Sequence, residues 1–144
     1  MKSIGKNAIL ICLAVLLVLP SSSALAEIVL IANPGISESS LKLTHKEVQR
    51  IFLRKKKTLS GTTLQIAIQR DRTLHAEFLH DYVHKTSSQF NRYYKKLVFT
   101  GKGKPPVLVT DDTAMLSYVA KTPGAIGYVS KDAADETVTL ITTD

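Results

Sequence analysis

Two arginines flank an aspartate at Arg70-Asp71-Arg72, with Thr73 next, where an alternating apolar segment hands over to an amphipathic one. A guanidinium presents its N–H donors as a planar fork that matches two oxygens of a phosphate or carboxylate. The first turn of a helix adds unpaired backbone amides and the positive end of the helix dipole. Together these groups favour capture of a small oxyanion by Arg70 and Arg72. Asp71 can accept the proton of a protonated anion, and Thr73 can cap the helix and offer a hydroxyl. The plain alternative is a surface ion pair of either arginine with Asp71 or Glu77, which contributes little.

Other chemistry is thinly represented. Cys12 is the only cysteine and lies in an apolar run near the start, so the rest of the chain has no disulfide, thiolate metal site or cysteine nucleophile. His80 and His84 stand four apart on a predicted helix, a spacing that can hold a metal, but a solvated helix face is the preferred reading and no metal site is expected. No HExxH, nucleophile elbow or catalytic carboxylate pair occurs, so no enzyme activity and no cofactor are expected. Gly101-Lys102-Gly103 can present backbone amides to an anion, without the spacing of a P-loop. The consecutive cations Arg54-Lys55-Lys56-Lys57 repel one another and are expected on a solvated loop.

The elements that must position these residues follow from periodicity. Residues 27–33 form a β-branched apolar run, a buried strand broken at Pro34-Gly35. Thr44 and Glu47 have capping-box spacing, and the helix they open buries Val48, Ile51 and Phe52. Leu64, Ile66 and Ile68 alternate with polar residues, a half-buried strand that ends at Arg70. Leu74, Phe78, Leu79, Tyr82 and Val83 define the helix after it. Phe90, Tyr93, Tyr94, Leu97 and Val98 define a second, capped by Ser87 or Ser88. Its aromatic stripe is read as core.

After a loop at 99–106 and a brief extension at 107–109, Asp111 or Asp112 caps a helix burying Met115, Leu116, Val119 and Ala120. Pro123-Gly124 stops that helix, and Ala125–Val129 follows at once as a strand destined for the middle of a sheet. Gly127 within it marks a bulge or a close approach of another backbone. Residues 137–141 make a final edge strand. Strands alternating with helices place the chain in the α/β class.

Residues 1–26 read as a cleaved secretory signal. Lys2 and Lys6 precede an apolar run from Ala8 to Leu19, too short to span a bilayer comfortably, and Ala24-Leu25-Ala26 supplies the cleavage pattern. Ile11 before Cys12 argues against lipidation. Cleavage after Ala26 leaves residues 27–144 as one domain, and loss of two lysines brings the net charge from +7 to +5. A basic exported protein meets anionic solutes, acidic polymers or membrane surfaces rather than nucleic acid.

Three segments carry a family resemblance: Leu43-Thr44 through Ile51-Phe52, Val98-Phe99-Thr100-Gly101-Lys102-Gly103 with Pro105-Pro106, and Val119 through Pro123-Gly124-Ala125-Ile126-Gly127-Tyr128-Val129. In this order, over about residues 28–130, the chain resembles the short, single-domain periplasmic-binding-protein-like relatives of the phosphate-binding protein of bacterial phosphate ABC importers. The resemblance implies a single lobe of a type II periplasmic-binding-protein fold, a mixed sheet flanked by helices. It implies a periplasmic, non-catalytic module for phosphate or a related oxyanion, serving a membrane transporter or sensor, with a homodimer as one way to enclose the ligand. Arg70 and Asp71 match the family's ligand-binding arginine and aspartate. The family's Ser-Gly-Thr run has no counterpart, because Arg72, Thr73, Leu74 and His75 stand there. The alternative is a periplasmic protein-interaction or sensory module that kept the lobe as scaffold and lost ligand binding.

Overall fold

The computed structural model describes residues 27–144, so the expected signal segment lies outside the described residues. In chain order the elements are β1 (Ile28–Ala32), β2 (Lys42–Leu43), α1 (His45–Phe52), β3 (Thr58–Leu59), β4 (Thr62–Thr63) and β5 (Gln65–Gln69). There follow α2 (Arg72–Phe78), α3 (Ser87–Phe99), β6 (Val107–Val109), α4 (Asp112–Lys121), β7 (Ala125–Ser130) and β8 (Thr139–Thr143). Six strands form one mixed sheet in the order β2-β8-β1-β7-β5-β6, and β3 and β4 form a separate pair. β7 runs parallel to β5, which runs parallel to β6, while β1 is antiparallel to β7 and β8.

Side-chain alternation divides the core into two layers. Leu30 and Ala32 of β1, Ile66 of β5, and Ile126 and Tyr128 of β7 pack with Phe52, Phe78 and Phe90 from α1, α2 and α3. Ile31, Ala67, Ala125 and Val129 face the other way, onto Met115 and Val119 of α4. The predicted half-buried strand at 64–69 is therefore covered on both faces.

Local chemistry explains most element ends. Thr44 and Glu47 make both halves of the capping box on α1. Thr86, rather than Ser87 or Ser88, caps α3, in a second capping box with Gln89. Tyr94 is buried in the first apolar layer and Tyr93 packs partly buried against it, and their hydroxyls donate to the carbonyls of Phe52 and Leu53 at the end of α1. α2 gives way to a wider π turn over Leu79–Val83, closed by His84 in the left-handed conformation. The Val83 carbonyl accepts from Gln49 Nε2 at 2.9 Å.

Pro123-Gly124 ends α4 as expected, and β7 sits centrally between β1 and β5. Gly127 makes no bulge, because the β1–β7 register runs unbroken from Ile28↔Ser130 to Ala32↔Ile126. What comes close at Gly127 is the Met115 side chain, which would collide with any Cβ there. The last strand also departs from expectation. Asp135 accepts the Thr137 amide at 2.9 Å, an Asx turn that delays β8 to Thr139. β8 is not an edge, because β2 pairs outside it.

The cations at 54–57 are only partly solvated. Arg54, in the left-handed conformation at φ 58°, closes α1, and its guanidinium donates to the Leu64 carbonyl at 3.3 Å. Lys56 pairs with Glu47 at 2.8 Å, and that ammonium holds the Glu47 carboxyl below its usual range. Lys55 and Lys57 remain exposed.

Candidate functional site

The carboxyl ends of the parallel strands β5, β6 and β7 lie along one edge of the sheet, where open α/β folds bind their ligands. β5 delivers Arg70 and Asp71 there, β6 delivers Asp111 at the head of α4, and β7 delivers Ser130. The Arg70 amide donates to the Val109 carbonyl at 2.9 Å, extending the β5–β6 ladder by one bond.

The structure brings Arg70, Asp71, Arg72 and Thr73 together at the start of α2, all exposed. Among the described residues neither arginine makes an ion pair, so the expected alternative of pairing to Asp71 or Glu77 is not realised. Asp71, not Thr73, is the helix cap. Its Oδ1 accepts from the amides of Thr73 and Leu74, both at 3.0 Å. Asp111 caps α4 in the same way, accepting from Ala114 at 2.8 Å. The positive heads of both helices thus already face a carboxylate of the chain itself. Oxyanion chemistry at this edge falls to the arginine forks and the Thr73 hydroxyl.

The other candidate anion site is closed by a helix cap. Gly101, at φ 69°, donates its amide to Val98 at 3.0 Å, and Lys102 donates to Leu97 at 2.9 Å. These two bonds form the Schellman motif that ends α3, so the amides are consumed and face the negative end of the dipole. His80 and His84 are exposed; Nδ1 of the first lies 2.9 Å from Asp81, and Nδ1 of the second lies 3.1 Å from the His80 carbonyl. No cluster able to hold a metal ion occurs among the described residues.

Sequence reasoning passed over a buried polar network beneath the arginines. The Gln69 amide donates to the Tyr128 hydroxyl at 3.0 Å, and that hydroxyl lies 2.6 Å from His75 Nδ1. The hydroxyl thus joins the end of β5 to the His75 ring, and the tautomer of His75 sets which of the two donates. Gln69 Nε2 donates to Asp112 at 2.6 Å and to the Tyr128 carbonyl at 3.0 Å, and Asp112 also accepts from the Ser130 hydroxyl. Phe78 stacks on the Tyr128 ring at 3.9 Å. The one local sign of this network was a glutamine closing an apolar strand. It fixes the ends of β5 and β7 and the first turns of α2 and α4, the frame that holds Arg70 and Arg72.

Burial lowers the His75 pKa from 6.5, so the folded state binds its proton less readily than the unfolded chain. The stability this neutral histidine contributes is intact above pH 6.5 and is lost as pH falls from there through the folded-state pKa. Urea midpoints measured from about pH 7.5 down to about pH 5 should therefore fall, and the fall should shrink in His75→Phe. The exposed His45, His80 and His84 are common to both proteins. An identical fall in the two would remove His75 as its source.

No protein-family model matches the chain, and the search of curated proteins finds no match. Solved structures do. An ABC-type phosphate transport receptor from Vibrio cholerae matches with TM-score 0.55 and 13% identity, over 81% of this chain and 46% of its own. A phosphate ABC transporter substrate-binding protein from Clostridium perfringens, with bound phosphate, matches with TM-score 0.62 and 15% identity, over 82% of this chain and 45% of its own. PstS from Borrelia burgdorferi matches with TM-score 0.57 and 14% identity, over 82% and 47%. The chain spans just under half the length of each of these proteins, and it has the fold of a single lobe of the type II periplasmic-binding-protein class.

Proposed function

We propose that the chain is a non-catalytic, periplasmic solute-binding-type module that holds phosphate or a related oxyanion at the head of α2. The observation that carries this reading is the pair of exposed arginines, Arg70 and Arg72, which make no ion pair among the described residues and stand at the carboxyl ends of parallel strands. The fold supports it, since a structural neighbour with this lobe was solved with phosphate bound. Arg70 and Arg72 grip the anion and the Thr73 hydroxyl adds one hydrogen bond. Asp71 uses only Oδ1 to cap α2, so Oδ2 is left to accept the proton of a protonated phosphate. Sulfate, which carries no proton near neutral pH, leaves that carboxylate opposed to a second anion and binds more weakly. The edge is open to solvent, so binding is weak. A transporter or sensor at the membrane reads the loaded lobe, and two copies facing each other across this edge would enclose the anion.

Calorimetric titration of residues 27–144 with phosphate tests the reading. Arg70→Ala should weaken saturable binding at least about tenfold, the size expected for hydrogen bonds to a charged group. Unchanged affinity in that variant would move the site elsewhere. One observation favours the second reading, a protein-interaction or sensory module without a ligand: Asp71 and Asp111 already fill both helix heads. Absence of phosphate binding at millimolar concentration would decide for it.

A further inference from the structure

A long stretch of this chain carries only positive charge. Positions 82–110 contain Lys85, Arg92, Lys95, Lys96, Lys102 and Lys104, and no aspartate or glutamate. Within α3, Arg92, Lys95, Lys96 and Phe99 recur at helical spacing and are all exposed, while Phe90 and Tyr94 of the same helix are buried. The stripe ends in an aromatic ring held out in solvent. Phe99 is 92% exposed, and Val98 and Leu108 beside it are 42% and 49% exposed.

These side chains share one surface. α3 and the edge strand β6 enclose a shallow groove lined by Ile68, Val98, Phe99, Pro106 and Leu108, with Arg92, Lys95 and Lys96 along it. Lys102 and Lys104 lie exposed on the loop joining the two elements. Nor is Phe99 at a fraying end. The Schellman bonds from Gly101 and Lys102 lock the last turn of α3, so the ring is presented by a fixed helix tip.

A second copy docked through the same face would set cations against cations. A wholly apolar partner would leave the lysines unmatched. A bilayer containing acidic phospholipid satisfies both halves of the surface. Phe99, Val98 and Leu108 enter the boundary between headgroups and acyl chains, and the flanking cations meet lipid phosphates. It also needs no preformed pocket for a projecting ring, which an acidic protein surface would have to supply. We infer that the tip of α3 and the β6 edge form a docking surface for an anionic phospholipid bilayer. This surface is separate from the strand ends that carry Arg70 and does not rest on the oxyanion reading.

Co-sedimentation of residues 27–144, which contain every element and both apolar layers described above, tests the docking surface. Vesicles of phosphatidylcholine with about one third phosphatidylglycerol should carry the protein down, and pure phosphatidylcholine should not. Binding should fall about tenfold in Phe99→Ser, and by more than about tenfold in the double variant Lys95→Glu, Lys96→Glu. Circular dichroism should show both folded, since all three residues are exposed. The control Lys55→Glu, Lys57→Glu removes two exposed cations elsewhere and should stay within about twofold of the parent. An equal loss in the control would reduce the effect to net charge and overturn the site. Absence of binding to the anionic vesicles would overturn the lipid assignment in favour of an acidic protein surface.

Discussion

Gly124→Ala should lower stability by about 2–5 kcal/mol, the sum of a left-handed backbone penalty and overpacking against a main chain. Gly124 has φ 76°, where any side chain is strained. A Cβ there would also fall on the carbonyl oxygen of Thr63, well inside van der Waals contact. That neighbour is backbone of β4 and cannot swing aside as a side chain would. The Gly124 carbonyl accepts the Gln65 amide at 2.9 Å, and the parallel β5–β7 pairing begins at the next residue, Gln65↔Ala125. Relief of the clash would therefore disturb the pairing that lines up the strand ends beneath Arg70. For a chain of this size the thermal midpoint should drop by more than about 6 °C. A drop under about 4 °C would mean that the β4 backbone yields freely and that the close approach does not constrain the fold. The same substitution at Gly127 should cost less, because the obstacle there is the flexible Met115 side chain.

How far the sequence foretold this arrangement depended on the range of the interaction. The capping box of Thr44 and Glu47 joins residues three apart, so its pattern was legible and both bonds form. The Pro123-Gly124 stop and the strand after it were legible for the same reason. Where several local signals competed, the choice was harder. Thr86 with Gln89 won over Ser87 and Ser88 because the box satisfies two amides at once. The Gly-Lys-Gly loop has the composition of an anion nest, but the amides of Gly101 and Lys102 belong to the end of α3. The edge assignment of the last strand failed because β2 is two residues long and pairs with a partner about a hundred positions away. The head of α2 was legible as a junction between two periodicities. The division of labour there, Asp71 capping and Arg70 and Arg72 unpaired, required side-chain positions. The network below it joins Gln69 to Tyr128 and to Asp112 across 59 and 43 positions, which no local pattern encodes.

Tyr128→Phe should cost about 2 kcal/mol although it removes a single oxygen, because the loss strands buried partners rather than only a bond. The Gln69 amide points at that hydroxyl, and Gln69 is 2% exposed, so water cannot replace it. His75 Nδ1 loses its hydrogen-bond partner in the same step. The ring itself stays, stacked on Phe78 and packed near Phe52, so apolar burial is almost unchanged. A stability loss can thus be assigned to the hydrogen bonds. Amide hydrogen exchange gives the sharper reading: Gln69 should lose protection by more than tenfold beyond the global change, about 1.4 kcal/mol of local opening, while Ile66 on the same strand follows the global change. Equal behaviour of the two amides would show that the tyrosine hydroxyl is not the partner that holds the end of β5. The consequence reaches the oxyanion reading, because Arg70 follows Gln69 directly. A strand end that opens more often offers the arginine in its binding position less often, and apparent phosphate affinity falls by that fraction. Tyr128→Phe should therefore weaken phosphate binding less than Arg70→Ala does, and added phosphate should restore part of the Gln69 protection.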